Sequence, residues 1–103
     1  MPNSRPLGYA TLQVLQAIAS GYLYGFEIMD AAQLPSGTVY PILSRLEECG
    51  YLKSRWEDAR VAHREKRPPR RSYEITGPGR EALKASVEQY RKLQQLAPRK
   101  ADA

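Results

Sequence analysis

The 103-residue chain has little of what cross-linked, metal-bound or catalytic proteins rely on: one cysteine (Cys49), one histidine (His63), one tryptophan and one phenylalanine. A single cysteine excludes a disulfide within the chain. One Cys and one His also fall short of the roughly four ligands of a structural zinc site, so no metal and no cofactor are expected. No run approaches the ~20 apolar residues of a membrane span, and no signal-like segment opens the sequence. The expectation is a cytoplasmic protein with no membrane partner, and the scarcity of cysteine suits a reducing compartment. The length suffices for one small domain with a thin core, which a second copy would help to stabilise.

Catalysis finds no footing either. His63 stands in a basic stretch read as a loop, and Glu47 and Glu48 diverge by about 100° on a helix rather than forming a pair. Cys49 falls on an apolar helical arc, the setting of an inert core thiol. Gly77-Pro78-Gly79 precedes a helix but lacks the rest of any phosphate-binding fingerprint. The chain is read as a non-enzyme.

What the sequence does have is charge of one sign in one place. Its net charge is +5, yet residues 1–50 hold only Arg5 and Arg45 against four acidic residues, while residues 51–103 hold 14 basic and seven acidic ones. Residues 60–71 alone hold six basic residues against Glu65. So concentrated a patch points to a polyanion.

Hydrophobic spacing predicts three helices, a hairpin and a last helix. Over 7–20, Leu7, Ala10, Leu12, Val14, Leu15, Ala17, Ile18 and Ala19 cover an arc of about 220°, wide enough to be buried on two sides. Residues 25–33 form a short helix offering Phe26, Ile28, Met29 and Ala32 to the core, and Leu34-Pro35-Ser36-Gly37 is turn chemistry. A second helix over 37–49 places Val39, Ile42, Leu43, Leu46 and Cys49 within about 120°. Its start is either Thr38 as a cap, with Pro41 in the first turn, or Ser36, with Pro41 in the interior. Residues 51–57 and 71–75 alternate as strands, Leu52 and Trp56 sharing one face. Between them runs a long basic connection containing Pro68-Pro69. Thr76 caps a last helix running to about Leu96, roughly 18 residues and about 27 Å long, where Leu83, Val87, Tyr90, Leu93 and Leu96 form a stripe that a small head cannot wholly cover.

Two short helices joined by a tight turn, followed by a basic hairpin, make a helix-turn-helix with a wing. The partner is then double-stranded DNA. The residues placed at that interface are Ser36, Thr38, Tyr40, Pro41, Ser44 and Arg45 on the second helix, with Arg64, Lys66, Arg67, Arg70 and Arg71 on the wing. A homodimer would use Leu12 with Leu83, Val87, Tyr90, Leu93 and Leu96. Two rivals share parts of this pattern. A sequence-tolerant architectural nucleic-acid binder needs only the basic stretch, and a protein-interaction module needs only the long helix.

Several segments carry a resemblance. Tyr24-Gly25-Phe26-Glu27-Ile28, the run from Ser36 to Leu52 (SGTVYPILSRLEECGYL), Arg70-Arg71-Ser72-Tyr73-Glu74-Ile75-Thr76 and Gly79-Arg80-Glu81-Ala82-Leu83 resemble the PadR-like transcriptional regulators over about 80 residues. The resemblance implies a mainly α fold with a small β-hairpin, a winged helix-turn-helix with a C-terminal dimerisation helix, and a repressor of the short, compact branch. It places Thr38, Tyr40, Pro41 and Arg45 on the recognition helix and Arg70 and Arg71 on the wing. It also leaves room for a small-molecule effector, which the sequence does not identify. The implied organisation is a DNA-binding domain over 1–77, a dimerisation helix over 78–97 and a frayed tail over 98–103.

Overall fold

The computed structural model describes residues 7–96; the tail expected over 98–103 lies outside them. The elements run α1 (Tyr9–Ala19), α2 (Gly25–Ala32), α3 (Ser36–Glu48), β1 (Leu52–Trp56), α4 (Ala59–Arg64), β2 (Arg71–Ile75) and α5 (Gly77–Gln94). This is the mainly helical winged helix-turn-helix, with one two-stranded antiparallel hairpin.

The wide apolar arc of α1 explains its central position. It packs against α2, α3, β2 and α5. Val14 and Leu15 have no exposed surface, and they meet the equally buried Ile28 and Val39 in one core. Each such side chain contributes about 1.5–3 kcal/mol by leaving water. The second face of α1 is covered by α5 of the same chain. That corrects the expectation that Leu12 awaits a partner, since it is only 8% exposed within its own chain.

Three residues separate α2 from α3. Gln33 adopts a left-handed conformation (φ 57°), which turns the chain sharply at the end of α2. The Pro35 carbonyl accepts the Thr38 and Val39 amides at 3.0 Å each, so α3 starts at Ser36 and Pro41 lies inside it. Pro41 cannot donate to the Gly37 carbonyl, but both residues are exposed, so water can replace the missing donor.

Two expected core residues lie outside. Phe26 is 56% exposed; it sits at the start of α2, whose buried positions are Gly25, Ile28 and Ala32. Cys49 is exposed at the C-cap of α3. The buried arc ends with Leu46, and the chain turns away at Gly50 (φ 80°) before the thiol can reach the core.

In the hairpin, Leu52 pairs with Ile75, Ser54 with Tyr73 and Trp56 with Arg71. Leu52 is buried and Trp56 is 63% exposed, because the same face runs off the core at its far end. An isolated bridge joins Tyr24 to Ser72, and the Tyr73 amide donates to the Leu23 carbonyl at 2.9 Å. The wing is thereby tied to the segment that opens α2.

Thr76 caps α5: its hydroxyl accepts the Gly79 amide at 3.1 Å and donates to the Gly50 carbonyl at 2.6 Å. Further along, the Ser86 hydroxyl accepts the Leu7 amide and the Tyr90 hydroxyl donates to the Leu7 carbonyl, both at 3.0 Å. One face of α5 is thus docked as far as Tyr90, while Val87, Leu93 and Leu96 stay exposed at 39%, 61% and 71%.

Candidate nucleic-acid interface

The outward face of α3 follows from its pattern. With Val39, Ile42, Leu43 and Leu46 buried, Tyr40, Pro41, Ser44 and Arg45 turn outward, with Ser36 in the first turn. Thr38 is half-buried at its edge. Tyr40 is 46% exposed, and its hydroxyl would clash with a Cβ on Gly25, so α2 and α3 meet closely there. Arg45 sits in the last turn, where the helix dipole favours a cation.

The connection between the strands contains a helix that the sequence reading treated as loop. Asp58 caps α4 by accepting the Arg60 amide at 2.8 Å, and Ala62 is buried. The Asp58–Ala59–Arg60 start was the available signal. Its six residues are too few for a hydrophobic period to register.

Arg67 closes this element. Its guanidinium donates to both oxygens of Glu57, at 2.6 and 2.8 Å, and to Glu65, while its amide donates to the Ala62 carbonyl at 3.1 Å. The Arg67 hydrogen bond holds the Glu57 carboxyl below the usual carboxylate range, and the Glu57 bond raises Arg67 in turn. Asp58 is likewise lowered, chiefly by the Arg60 side chain.

Arg71 is committed in the same way. It donates to Glu47 of α3 at 3.0 Å and to the Ser54 hydroxyl at 2.8 Å, and Ser54 donates to Glu47 at 2.5 Å. Its Cζ lies 5.6 Å from the Trp56 ring centroid and 5.7 Å from that of Tyr73. Glu47 is therefore the seat of the wing on α3. Arg67 and Arg71 are therefore not free cations of the wing, because carboxylates of the same chain, Glu57 with Glu65 and Glu47, already pair with them. Arg64 and Lys66 are exposed, as are Arg60 and His63. Arg70 is half-buried against Tyr24 and Phe26.

Sequence reasoning missed Tyr24, Phe26, Glu47, Glu57 and Trp56, whose roles depend on partners 10 to 46 positions away. The resulting surface offers hydroxyls and a guanidinium on a protruding helix beside a cationic wing. Such a surface can donate to base edges and phosphates. Among the described residues no cluster of His, Cys, Asp and Glu could hold a metal ion, and no helix is long and apolar enough to cross a membrane.

The family model described as the transcriptional regulator PadR-like family matches residues 14–85. A PadR family transcription regulator from hypervirulent Clostridium difficile superposes with a TM-score of 0.74 at 22% identity, covering 85% of this chain and 93% of that one. A transcriptional regulator from Clostridium thermocellum gives 0.72 at 25% identity, with 85% of each chain covered. A mutant of Staphylococcus aureus MepR bound to an oligodeoxyribonucleotide shares the fold at 0.66 and 18% identity, over 86% of this chain and 62% of that one. No curated protein matches the sequence.

Proposed function

Because this chain belongs to the PadR-like family of transcriptional regulators, we propose that it is a homodimeric repressor that reads a near-palindromic operator with α3. The observation carrying the reading is the outward face of α3, where Tyr40, Ser44 and Arg45 stand clear of the core beside a basic wing. In this reading Ser36, Thr38, Tyr40, Pro41, Ser44 and Arg45 meet the major groove. Arg64, Lys66 and Arg70 meet the backbone, and Arg67 and Arg71 hold the wing in shape. The exposed stripe of Val87 and Leu93 on α5, with Leu96 just beyond its end, joins two copies. A two-fold dimer then presents two recognition helices about 34 Å apart, and the half-sites fall about one helical turn apart.

The test is selection of bound sites from random duplex DNA by the purified protein, followed by competition with unrelated duplex. A symmetric motif is expected. Tyr40→Ala should cost roughly tenfold or more in operator affinity and far less against random duplex, because groove contacts carry the sequence preference. Equal affinity for every duplex would replace this reading with an architectural binder.

A further inference from the structure

The three wing arginines differ in what holds them. Arg67 and Arg71 are paired with carboxylates, whereas Arg70 makes no ion pair among the described residues. Aromatic faces hold it instead. Its Cζ lies 5.3 Å from the Tyr24 ring centroid and 5.6 Å from that of Phe26, and the two rings are parallel within 1° and 5.9 Å apart. The guanidinium thus bridges both rings.

The parts of this cluster are anchored separately. The Glu57 amide donates to the Arg70 carbonyl at 2.8 Å, and the Arg70 amide donates to the Glu57 carboxylate at 3.3 Å. On the other side, Tyr24 is bridged to Ser72, and the Glu27 carboxylate accepts the Leu23 and Tyr24 amides at 3.2 Å each. The cluster opens on a cleft of about 360 Å³ that Tyr40 of α3 also lines. Phe26 adds little to the core and keeps more than half of its surface in water, and with the exposed Tyr40 and Trp56 it lines the same cleft as Arg70. Its ring face is thereby open to a cation. Stacking on a ring occupies the face of a guanidinium and leaves its in-plane N–H donors available to an anion.

Building on the DNA-reading function proposed above, we propose that Tyr24 and Phe26 are positioning residues for DNA binding. They form an aromatic platform that holds the Arg70 guanidinium at the junction of α2, α3 and the wing, where it grips a duplex phosphate flanking the bases read by α3. The platform links the wing to the helix-turn-helix, so the cation arrives in register with Tyr40. The ligand is the phosphodiester of a double helix, and the planar fork of arginine suits its two free oxygens.

The experiment uses the full chain and its selected operator over a series of salt concentrations. Arg70→Ala should weaken operator and random duplex alike by roughly tenfold and lower the salt slope of log K by about 0.9. Phe26→Leu keeps an apolar side chain but removes the ring face. It should weaken binding by about three- to fivefold with the slope and melting temperature unchanged. The double variant should bind no more weakly than Arg70→Ala alone, because the platform then has nothing to hold. Arg70→Lys should restore the slope but not the full affinity. Independently of DNA, the Arg70 side-chain protons should show upfield ring-current shifts in the wild type that shrink in Phe26→Leu. A Phe26→Leu protein that binds as tightly as wild type, or a double variant whose losses multiply, would overturn the platform. A wild type without affinity for duplex DNA would overturn the repressor reading itself, and the ring-current shifts would still decide whether the stack exists.

Discussion

Gly79 illustrates how one position can be constrained by its neighbours. It lies in the first turn of α5 and is buried, and a Cβ there would run into the Tyr51 carbonyl oxygen and come within 2.9 Å of Ile75 Cγ1. Backbone cannot swing aside as a side-chain tip can. Gly79→Ala should therefore destabilise the protein by about 1–3 kcal/mol, despite the better helix propensity of alanine. Urea denaturation of the two proteins checks it. Gly25 differs, because its added methyl would meet the Tyr40 ring, which can rotate outward. The arginines differ in a similar way: Arg67 lies among carboxylates, Arg71 between a carboxylate and two rings, and Arg70 on rings alone. One residue type three times within five positions serves three neighbourhoods.

At the scale of elements, the wing is built as a small structured unit. A six-residue helix has no stability of its own in water. α4 is held by the Asp58 cap, the burial of Ala62 and the Arg67–Glu57–Glu65 cluster. Arg67→Ala should leave α1, α2, α3 and α5 intact and speed amide exchange across α4 by about tenfold or more, since only the local opening becomes easier. Unchanged exchange would mean that the cluster does not hold the element. The acid response follows from Glu57 and Asp58. Both carboxyls sit below their ordinary values of 4.5 and 3.8. A depressed carboxyl contributes stability above its unfolded value and loses it as pH falls through the folded one. Protection of α4 should therefore hold from about pH 8 to about pH 5 and fall away in stronger acid.

At the scale of the whole molecule, α5 divides the chain's needs in two. Its inner face completes the core through Leu83 and Ser86 and grips residue 7 through Ser86 and Tyr90. Its outer stripe has no cover within the described residues. Replacing Val87 and Leu93 with Asp would put four unpaired charges into the proposed dimer interface, each expensive to desolvate. The variant should sediment as a monomer at micromolar concentration while keeping its helical circular dichroism, because both positions are exposed and the core does not use them. Its operator affinity should fall by about a hundredfold or more, the loss of one of two linked half-sites. A wild-type monomer, or a double-Asp dimer, would remove the proposed interface and with it the reason for a symmetric operator.

Much of this protein is decided by local spacing. The buried residues of α3 recur every three or four positions, Thr76 stands where a cap is needed, and alternation marks β1 and β2. Periodicity and capping are properties of neighbouring residues, so they are legible without a fold. The family motifs lie in those same segments, and the outward face of α3 is simply the complement of its buried one. Other features were settled only when distant segments met. The wide arc of α1 reads as a demand for a second chain until α5 is seen to cover it. Phe26 and Cys49 read as core until α2 turns one outward and the end of α3 turns the other. The basic stretch reads as uniformly available charge until Glu47 and Glu57 arrive from 24 and 10 positions away to take Arg71 and Arg67. Net charge adds up along a chain, but whether a cation is free depends on which carboxylate lies within about 3 Å of it in space. Tertiary structure alone brings those groups together.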